Sequence, residues 1–169
     1  GVQALRATGA TVFAGDLASR IGGEVEFHPA TRFAKSRLAL LDRFSQFALD
    51  AAAQAVKDAG LALDAPLKER TGVFVGTGMG GARTQDAAYA ELYLEKKQRL
   101  PPFTVLRVMS NAAAAQISIE YGLRGPSFTY STACSSSAIA VGEAVRAIRH
   151  GYVDAAIAGG VESFLTLGT

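Results

Sequence analysis

Short β-prone apolar runs alternate with segments of helical periodicity along most of this chain, and that alternation limits the folds open to it. The β-prone runs are residues 73–75, 128–130 and 153–158. Strands separated by helices are expected to run parallel, because each helix carries the chain back along a face of the sheet. The sequence therefore predicts an α/β fold, with a mainly parallel sheet and helices on both of its faces.

Four longer helices are predicted, at about 42–59, 83–98, 111–121 and 135–150. Asp42 is expected to cap the first of them. A loop is expected after the second, at the proline pair 101–102. Glycines follow the other three as stop signals. The last helix has an apolar face formed by Ala138, Val141, Gly142, Val145 and Ile148.

The composition of the 169 residues excludes several classes of function. Seventeen basic and 15 acidic residues leave a charge of only +2, too balanced for nucleic acid as the main partner. The single cysteine excludes an internal disulfide, and the two histidines form no cluster with metal-ligand spacing. No apolar run approaches the 18 residues of a membrane span, and residues 1–9 show no signal-peptide pattern. A cytoplasmic protein without a membrane span is expected.

Cys134 is the candidate nucleophile. It lies between the β-prone run at 128–130 and the helix that begins near residue 135, and its neighbours in 131–137 are all Ser, Thr or Ala. A sharp strand-to-helix turn requires such small side chains. The N–H groups and dipole at a helix start favour thiolate over thiol. A lone cysteine is more often an inert core residue, but this setting favours a reactive one.

Residues 76–81 match the glycine pattern G-x-G-x-x-G between a predicted strand and a predicted helix. A dinucleotide site also needs an acidic residue about 20 positions later, at the end of a second strand. Residues 98–106 contain two prolines and no acid. A simple tight turn is therefore the favoured interpretation of the motif.

These motifs together resemble the β-ketoacyl synthases. The active-site signature of that family is similar to residues 123–137, LRGPSFTYSTACSSS, and to residues 159–162, GGVE. Residues 42–48, DRFSQFA, look like the start of a helix in the elongating synthases, and Asn111 and residues 121–126, YGLRGP, fit the same register. The resemblance runs from about residue 40 to the end of the sequence.

The resemblance implies a thiolase-like, layered αβα fold of two similar halves. Residues 1–169 are expected to form most of the N-terminal half, without the opening strand and the C-terminal half. In the family that second half supplies two histidines, a lysine and a Gly-Phe-Gly-Gly loop. Neither His28 nor His150 matches those histidines, and the end of a helix gives His150 a structural explanation.

The resemblance also implies a reaction. Cys134 would take an acyl chain from the phosphopantetheine arm of acyl carrier protein, and malonyl-carrier protein would then lose carbon dioxide and condense with that chain. The Cys134 N–H would be one oxyanion-hole donor. No metal or redox cofactor is implied. The implied partners are acyl carrier protein and a second ketosynthase subunit, in a homodimer or in a heterodimer with a related chain.

Met109 stands where the elongating synthases place an acyl-pocket residue, although a methionine that fills a gap in the core is an equal alternative. Arg32, Lys35 and Arg37 form a small basic group of the kind that docks acidic carrier proteins. Residues 38–41, LALL, depart from the more basic pattern expected there and suggest an apolar contact with a partner.

Three classes of protein remain open from the sequence. The first is an elongating, carrier-dependent condensing enzyme. The second is a silent chain-length factor, which Cys134 disfavours because those subunits lack the nucleophile. The third is a degradative thiolase or a CoA-dependent initiating synthase, which the surroundings of Cys134 and residues 42–44 disfavour. The sequence does not separate fatty-acid from polyketide or polyene pathways.

Overall fold

The computed structural model describes residues 2–4, 21–23 and 25–163. A parallel three-stranded sheet lies at its centre, with strand order β4-β3-β5. Its strands are β3 (Thr71–Gly76), β4 (Ser127–Tyr130) and β5 (Ala155–Gly160). The predicted parallel sheet is thus confirmed, although β5 begins two residues later than expected and includes two glycines. The short strands β1 (Val2–Ala4) and β2 (Ile21–Gly23) form a separate antiparallel pair.

The longer helices agree with the sequence pattern except in one segment, and three further short helices were not predicted. The helices are α1 (Lys35–Leu38), α2 (Arg43–Asp58), α3 (Ala65–Glu69), α4 (Ala82–Tyr89), α5 (Thr104–Val108), α6 (Ala112–Tyr121) and α7 (Ser136–Arg149), with a 3₁₀ turn at Pro29–Thr31. The prediction of one α-helix over residues 83–98 is wrong. After α4 the chain widens into a π-helical turn (Ala90–Leu94), in which the Glu95 N–H donates to the Ala90 carbonyl, and Lys96 follows at φ +56°.

Helices cover both faces of the sheet, as predicted. Val73 and Val75 of β3 point to a core built with α2 and α6, whose buried members include Phe44, Ala113 and Ile117. Phe74 points the other way, to Ala140 and Ala144 of α7. Small residues at these contacts let the helices lie close to the strands. Within the described residues, no helix is long and apolar enough to cross a membrane.

The contact face of α7 differs from the apolar face that stands out in the sequence. The helix packs through Ser136, Ala140 and Ala144, which are buried. Val141, Val145 and Ile148 are 42–44% exposed. The larger apolar residues of α7 therefore face away from the sheet.

Asp42 joins two helices from a buried position. Its Oδ1 accepts a hydrogen bond from the Phe44 N–H at 3.1 Å, which confirms the predicted N-cap of α2. Its Oδ2 accepts from the N–H (2.8 Å) and the hydroxyl of Thr84 in α4. A buried carboxylate with all these donors is well satisfied, and it fixes the start of α2 against α4.

Candidate active site

Cys134 lies exposed, as a free thiol, in the turn between β4 and α7. Its neighbour Ala133 adopts φ +52°, a left-handed conformation that is uncommon for a residue with a Cβ. Serine side chains hold the turn in this shape. The Ser136 hydroxyl accepts from the Thr132 N–H at 2.8 Å and donates to the Ala133 carbonyl at 2.7 Å, while the Ser135 hydroxyl donates to the Thr132 carbonyl at 2.7 Å. The predicted sharp strand-to-helix turn is therefore present.

Two glycines at the strand ends let this turn sit directly on the sheet. A Cβ added at Gly76 would lie 2.3 Å from the backbone carbonyl carbon and oxygen of Ser136. A Cβ added at Gly160 would lie 2.3 Å from the Cβ of Ser137. Separations under 3 Å are far inside van der Waals contact, so only glycine fits at either position. The glycines at the ends of β3 and β5 thus determine how closely the cysteine turn approaches the sheet.

Only some of the backbone N–H groups around Cys134 donate hydrogen bonds within the turn. Those of Ser135 and Ser136 donate within the turn, to the carbonyls of Thr132 (3.3 Å) and Ala133 (3.1 Å). Among the described residues, the Cys134 N–H makes no such donation. A free donor next to the sulfur suits stabilisation of an oxyanion that forms on a group bonded to that sulfur.

The glycine loop (residues 76–81) is occupied by a carboxylate of the chain itself. Glu162 follows β5, and its carboxylate accepts hydrogen bonds from the Thr77 hydroxyl and from the N–H groups of Gly78 and Met79. Successive N–H groups that converge on an anion form a nest of the kind that also binds phosphate. The motif that resembles a dinucleotide site therefore has its donors engaged by Glu162.

Glu162 is the site residue that the sequence did not identify. It appears in the sequence only as the last letter of GGVE, and no spacing rule connects it with a glycine loop more than 80 residues earlier. The available signal was the loop itself, since a nest of N–H groups needs an anion. The loop also borders the cysteine turn, because a Cβ added at Gly78 would lie 3.8 Å from Ala133 Cα and from Glu162 Oε1.

Glu162→Gln is expected to loosen the glycine loop and to destabilise the full-length protein by about 1.5–3 kcal/mol, the usual range for hydrogen bonds to a charged group. Amide hydrogen exchange at Gly78 and Met79 should rise in the variant, and denaturant unfolding should report the free energy. Glu69→Gln at the end of α3, where the exposed carboxylate pairs with Arg124 at 2.8 Å on the surface, is the control and should change little. Unchanged protection at Gly78 and Met79 in Glu162→Gln would contradict this account of the loop.

Met109 lies in a segment that borders the same loop. It follows α5 and is 44% exposed, so it does not fill a gap in the core of the described residues. Its neighbour Ser110 contacts the loop, since a Cβ added at Gly80 would lie 3.0 Å from Ser110 Cα. The segments that carry Met109 and Cys134 thus both border this loop. Its role in an acyl pocket stays a prediction.

Other residues singled out in the sequence have local partners. Arg32 pairs with Asp50 at 3.3 Å, and Arg37 pairs with Glu120 at 3.3 Å. His150 ends α7 and stacks on Tyr152 with ring centroids 5.9 Å apart, consistent with a structural role. Within residues 38–41 only Leu41 is buried, and it belongs to the main core.

Comparisons with known proteins agree with this geometry. The family model described as "Beta-ketoacyl synthase, N-terminal domain" matches residues 5–169. The 3-oxoacyl-[acyl-carrier-protein] synthase 2 of Staphylococcus aureus is 35% identical over 147 residues, which is 86% of this chain and 36% of that protein. The chain therefore spans about a third of the length of this curated relative.

The solved structures to which this chain is similar include two ketosynthases. The ishigamide ketosynthase/chain length factor matches with a TM-score of 0.81 and 25% identity, over 96% of this chain and 40% of that one. A type II polyketide synthase ketosynthase, solved with its acyl-carrier protein, matches with a TM-score of 0.72 and 27% identity, over 80% of this chain and 39% of that one.

The parallel sheet between helices is the architecture of the thiolase-like ketosynthases, as the sequence predicted. The chain belongs to the β-ketoacyl synthase family and matches the N-terminal domain of that family.

Proposed function

We propose that the protein containing this chain is a carrier-dependent 3-oxoacyl synthase, which condenses a Cys134-bound acyl chain with malonyl-acyl carrier protein. The observation that carries the proposal is the exposed Cys134 thiol in the strained turn before α7. An inert structural cysteine would be buried among apolar side chains, and it would not need a left-handed alanine beside it.

In the first step, the Cys134 thiolate attacks the carbonyl carbon of an acyl thioester on the carrier's phosphopantetheine arm. The negative charge moves to the carbonyl oxygen. The hydrogen-bond donor that we propose for it is the Cys134 N–H, which makes no backbone hydrogen bond among the described residues. The tetrahedral intermediate then collapses. The carrier thiolate leaves and takes up a proton, and the acyl group remains on the Cys134 sulfur as a thioester.

In the second step, malonyl-carrier protein loses carbon dioxide, and the electron pair of the broken C–C bond forms an enolate. The enolate carbon attacks the Cys134 thioester, a C–C bond forms, and the Cys134 thiolate leaves. The product is a 3-oxoacyl chain on the carrier. The family resemblance assigns stabilisation of the enolate to histidines outside residues 1–169, so the whole protein is required. The role proposed for Met109 is to line the acyl chain's path.

The proposed partners follow from the family and from the open edge of the sheet. One similar ketosynthase was solved with an acyl-carrier protein, and another with a chain length factor. In the described residues, β4 pairs with β3 on one side only, and its Phe128 is 53% exposed. An edge strand of this kind favours pairing with another subunit, so we propose a dimer, either of two copies or with a related chain.

The full-length protein, incubated with acyl- and malonyl-carrier protein, is expected to release carbon dioxide and to form one 3-oxoacyl-carrier product for each carbon dioxide released. Mass spectrometry of the carrier measures the product directly. The matched control omits the acyl-carrier protein, and no elongated product should then form. Absence of elongation by the correctly assembled protein, tested with acyl chains of several lengths, would contradict the proposed reaction.

A chain-length-factor-like partner subunit is the second candidate, because one similar structure contains such a factor. A subunit of that kind would shape the acyl chain without bonding to it. The two candidates differ at Cys134, since only a catalytic subunit should become acylated there. The presence and exposure of Cys134 favour the catalytic subunit.

A further inference from the structure

A cavity of about 530 Å³ lies between α2, α4 and the segment that leads into α5. Its lining comes from residues 41–46, 83–91 and 101–107, together with Pro29, and includes neither Cys134 nor Glu162. The cavity is therefore separate from the candidate active site. Its volume falls in the range of small-molecule sites in proteins.

Three arginines line this cavity: Arg43, Arg83 and Arg107. Aromatic rings hold the first in place, because its Cζ lies 4.8 Å from the ring centroid of Phe27 and 4.7 Å from that of Phe47. Its Nη2 also donates to the Phe27 carbonyl at 3.0 Å. Burial, and then the positive charge of Arg83, lower the pKa of Arg43 from its ordinary value. The guanidinium groups of Arg43 and Arg83 are thus close enough for their like charges to interact.

Two polar groups of the lining are buried without a partner. The Nε of Arg107 and the Oε1 of Gln46 make no hydrogen bond within the part of the chain that the structure describes. Arg83 and Arg107 likewise form no ion pair there. An unpaired buried donor and acceptor cost free energy, and a bound ligand that satisfies them would recover it.

The carboxylates of the lining, Asp42 and Glu91, are already engaged. Asp42 accepts from Thr84 and caps α2, and Glu91 pairs with Lys97 at 3.3 Å. Three arginines face two carboxylates in the lining, an excess of one positive charge, and neither carboxylate forms an ion pair with these arginines among the described residues. A phosphate monoester carries about −1.5 to −2 charges at neutral pH and has three strong acceptor oxygens, so it can accept hydrogen bonds from all three guanidinium groups, whereas a carboxylate has two oxygens. Guanidinium forks also match phosphate oxygens in geometry.

We propose that this cavity binds a phosphate monoester, with the three arginines holding the phosphate and Gln46 Oε1 accepting a hydrogen bond from a hydroxyl of the ligand. This site does not depend on the proposed condensation reaction. An acidic side chain of a partner protein is the competing occupant. It is disfavoured because one carboxylate has only two oxygens for three guanidinium groups, and because the site is a concave cavity rather than a flat patch.

The test is calorimetric titration of the full-length protein with glycerol 3-phosphate and with inorganic phosphate, against sodium chloride at equal ionic strength. Saturable binding is expected for both phosphates. Arg83→Gln and Arg107→Gln should each weaken it about tenfold or more, because each removes charge-assisted hydrogen bonds. Arg149→Gln, at the exposed end of α7, is the control and should bind like the parent protein. Thermal unfolding of each variant checks that it is folded.

Failure of both phosphates to bind beyond the chloride control would overturn the proposal. Equal binding by folded Arg83→Gln and Arg107→Gln variants would also overturn it. If phosphate does not bind but carrier-protein affinity falls in these two variants and not in Arg149→Gln, then the occupant is a protein carboxylate and the proposal is wrong. None of these results depends on whether the protein condenses acyl chains.

Discussion

Cys134→Ala is expected to lower the rate of condensation by the full-length protein by on the order of 10³-fold or more, because loss of a covalent nucleophile removes the acyl-enzyme step. The substitution itself removes only the sulfur atom of the side chain. Cys134 is exposed, and among the described residues no side chain makes a hydrogen bond to its sulfur, so folding should be preserved. The rate of 3-oxoacyl-carrier formation measures the effect, and thermal unfolding confirms that the variant is folded.

Ser131→Ala is the matched control for this variant. Ser131 is exposed in the same turn, and its hydroxyl makes no hydrogen bond to another described residue. The Ser131→Ala variant should therefore condense acyl chains at close to the rate of the parent protein. If a folded Cys134→Ala variant elongated acyl chains at the parent rate, the nucleophile would have to be assigned elsewhere.

Gly76→Ala is expected to destabilise the full-length protein by about 3 kcal/mol or more, or to prevent its recovery in folded form. The added Cβ would overlap the Ser136 backbone at 2.3 Å, and backbone at the start of a helix cannot move aside as a flexible side-chain end would. Denaturant unfolding measures the stability. Any protein that does fold should also have lost condensation activity, since the clash displaces the turn that carries Cys134.

Gly159→Ala provides the control within the same sheet. Gly159 lies beside Val75 in the β3–β5 pairing, and no described atom lies within 4 Å of a Cβ added there. Its stability should stay within about 1 kcal/mol of the parent protein. Similar stabilities of Gly76→Ala and Gly159→Ala would contradict the close seating of the cysteine turn on the sheet.

Local signals predicted the elements that position the site. Asp42 as an N-cap and the glycines after α2, α6 and α7 are signals that depend only on a few neighbouring residues. The structure contains all of them. The small residues around Cys134 predicted a sharp turn for the same reason, since sterics within the turn exclude larger side chains.

Long-range contacts were harder to anticipate. The apolar side chains of α7 at Val141, Val145 and Ile148 suggested a contact face, yet the helix meets the sheet through Ala140 and Ala144. Because the start of α7 packs closely against glycines in β3 and β5, the helix face that meets the sheet has room only for small residues. Hydrophobicity alone does not indicate which face that is. The π-helical turn after α4 was missed because apolar periodicity does not distinguish i→i+4 from i→i+5 bonding.

Glu162 shows the same limit at the site itself. Glu162 follows β5 and the glycine loop follows β3, and the two meet because β3 and β5 are neighbours in the sheet. The sequence pattern favours a simple tight turn, and only the structure shows that the loop binds a carboxylate of the chain itself. The three-arginine cavity could not be predicted from the sequence for the same reason, since the fold brings together arginines from three separate helices, α2, α4 and α5.

Peptide mass spectrometry of the full-length protein after brief incubation with acyl-carrier protein alone, in the absence of malonyl-carrier protein, tests the central claim most directly. The account predicts that the peptide containing Cys134 gains the mass of the acyl group, and that hydroxylamine or subsequent addition of malonyl-carrier protein removes it. An acyl group found only on another residue, or a fully folded protein that is never acylated at Cys134, would contradict it.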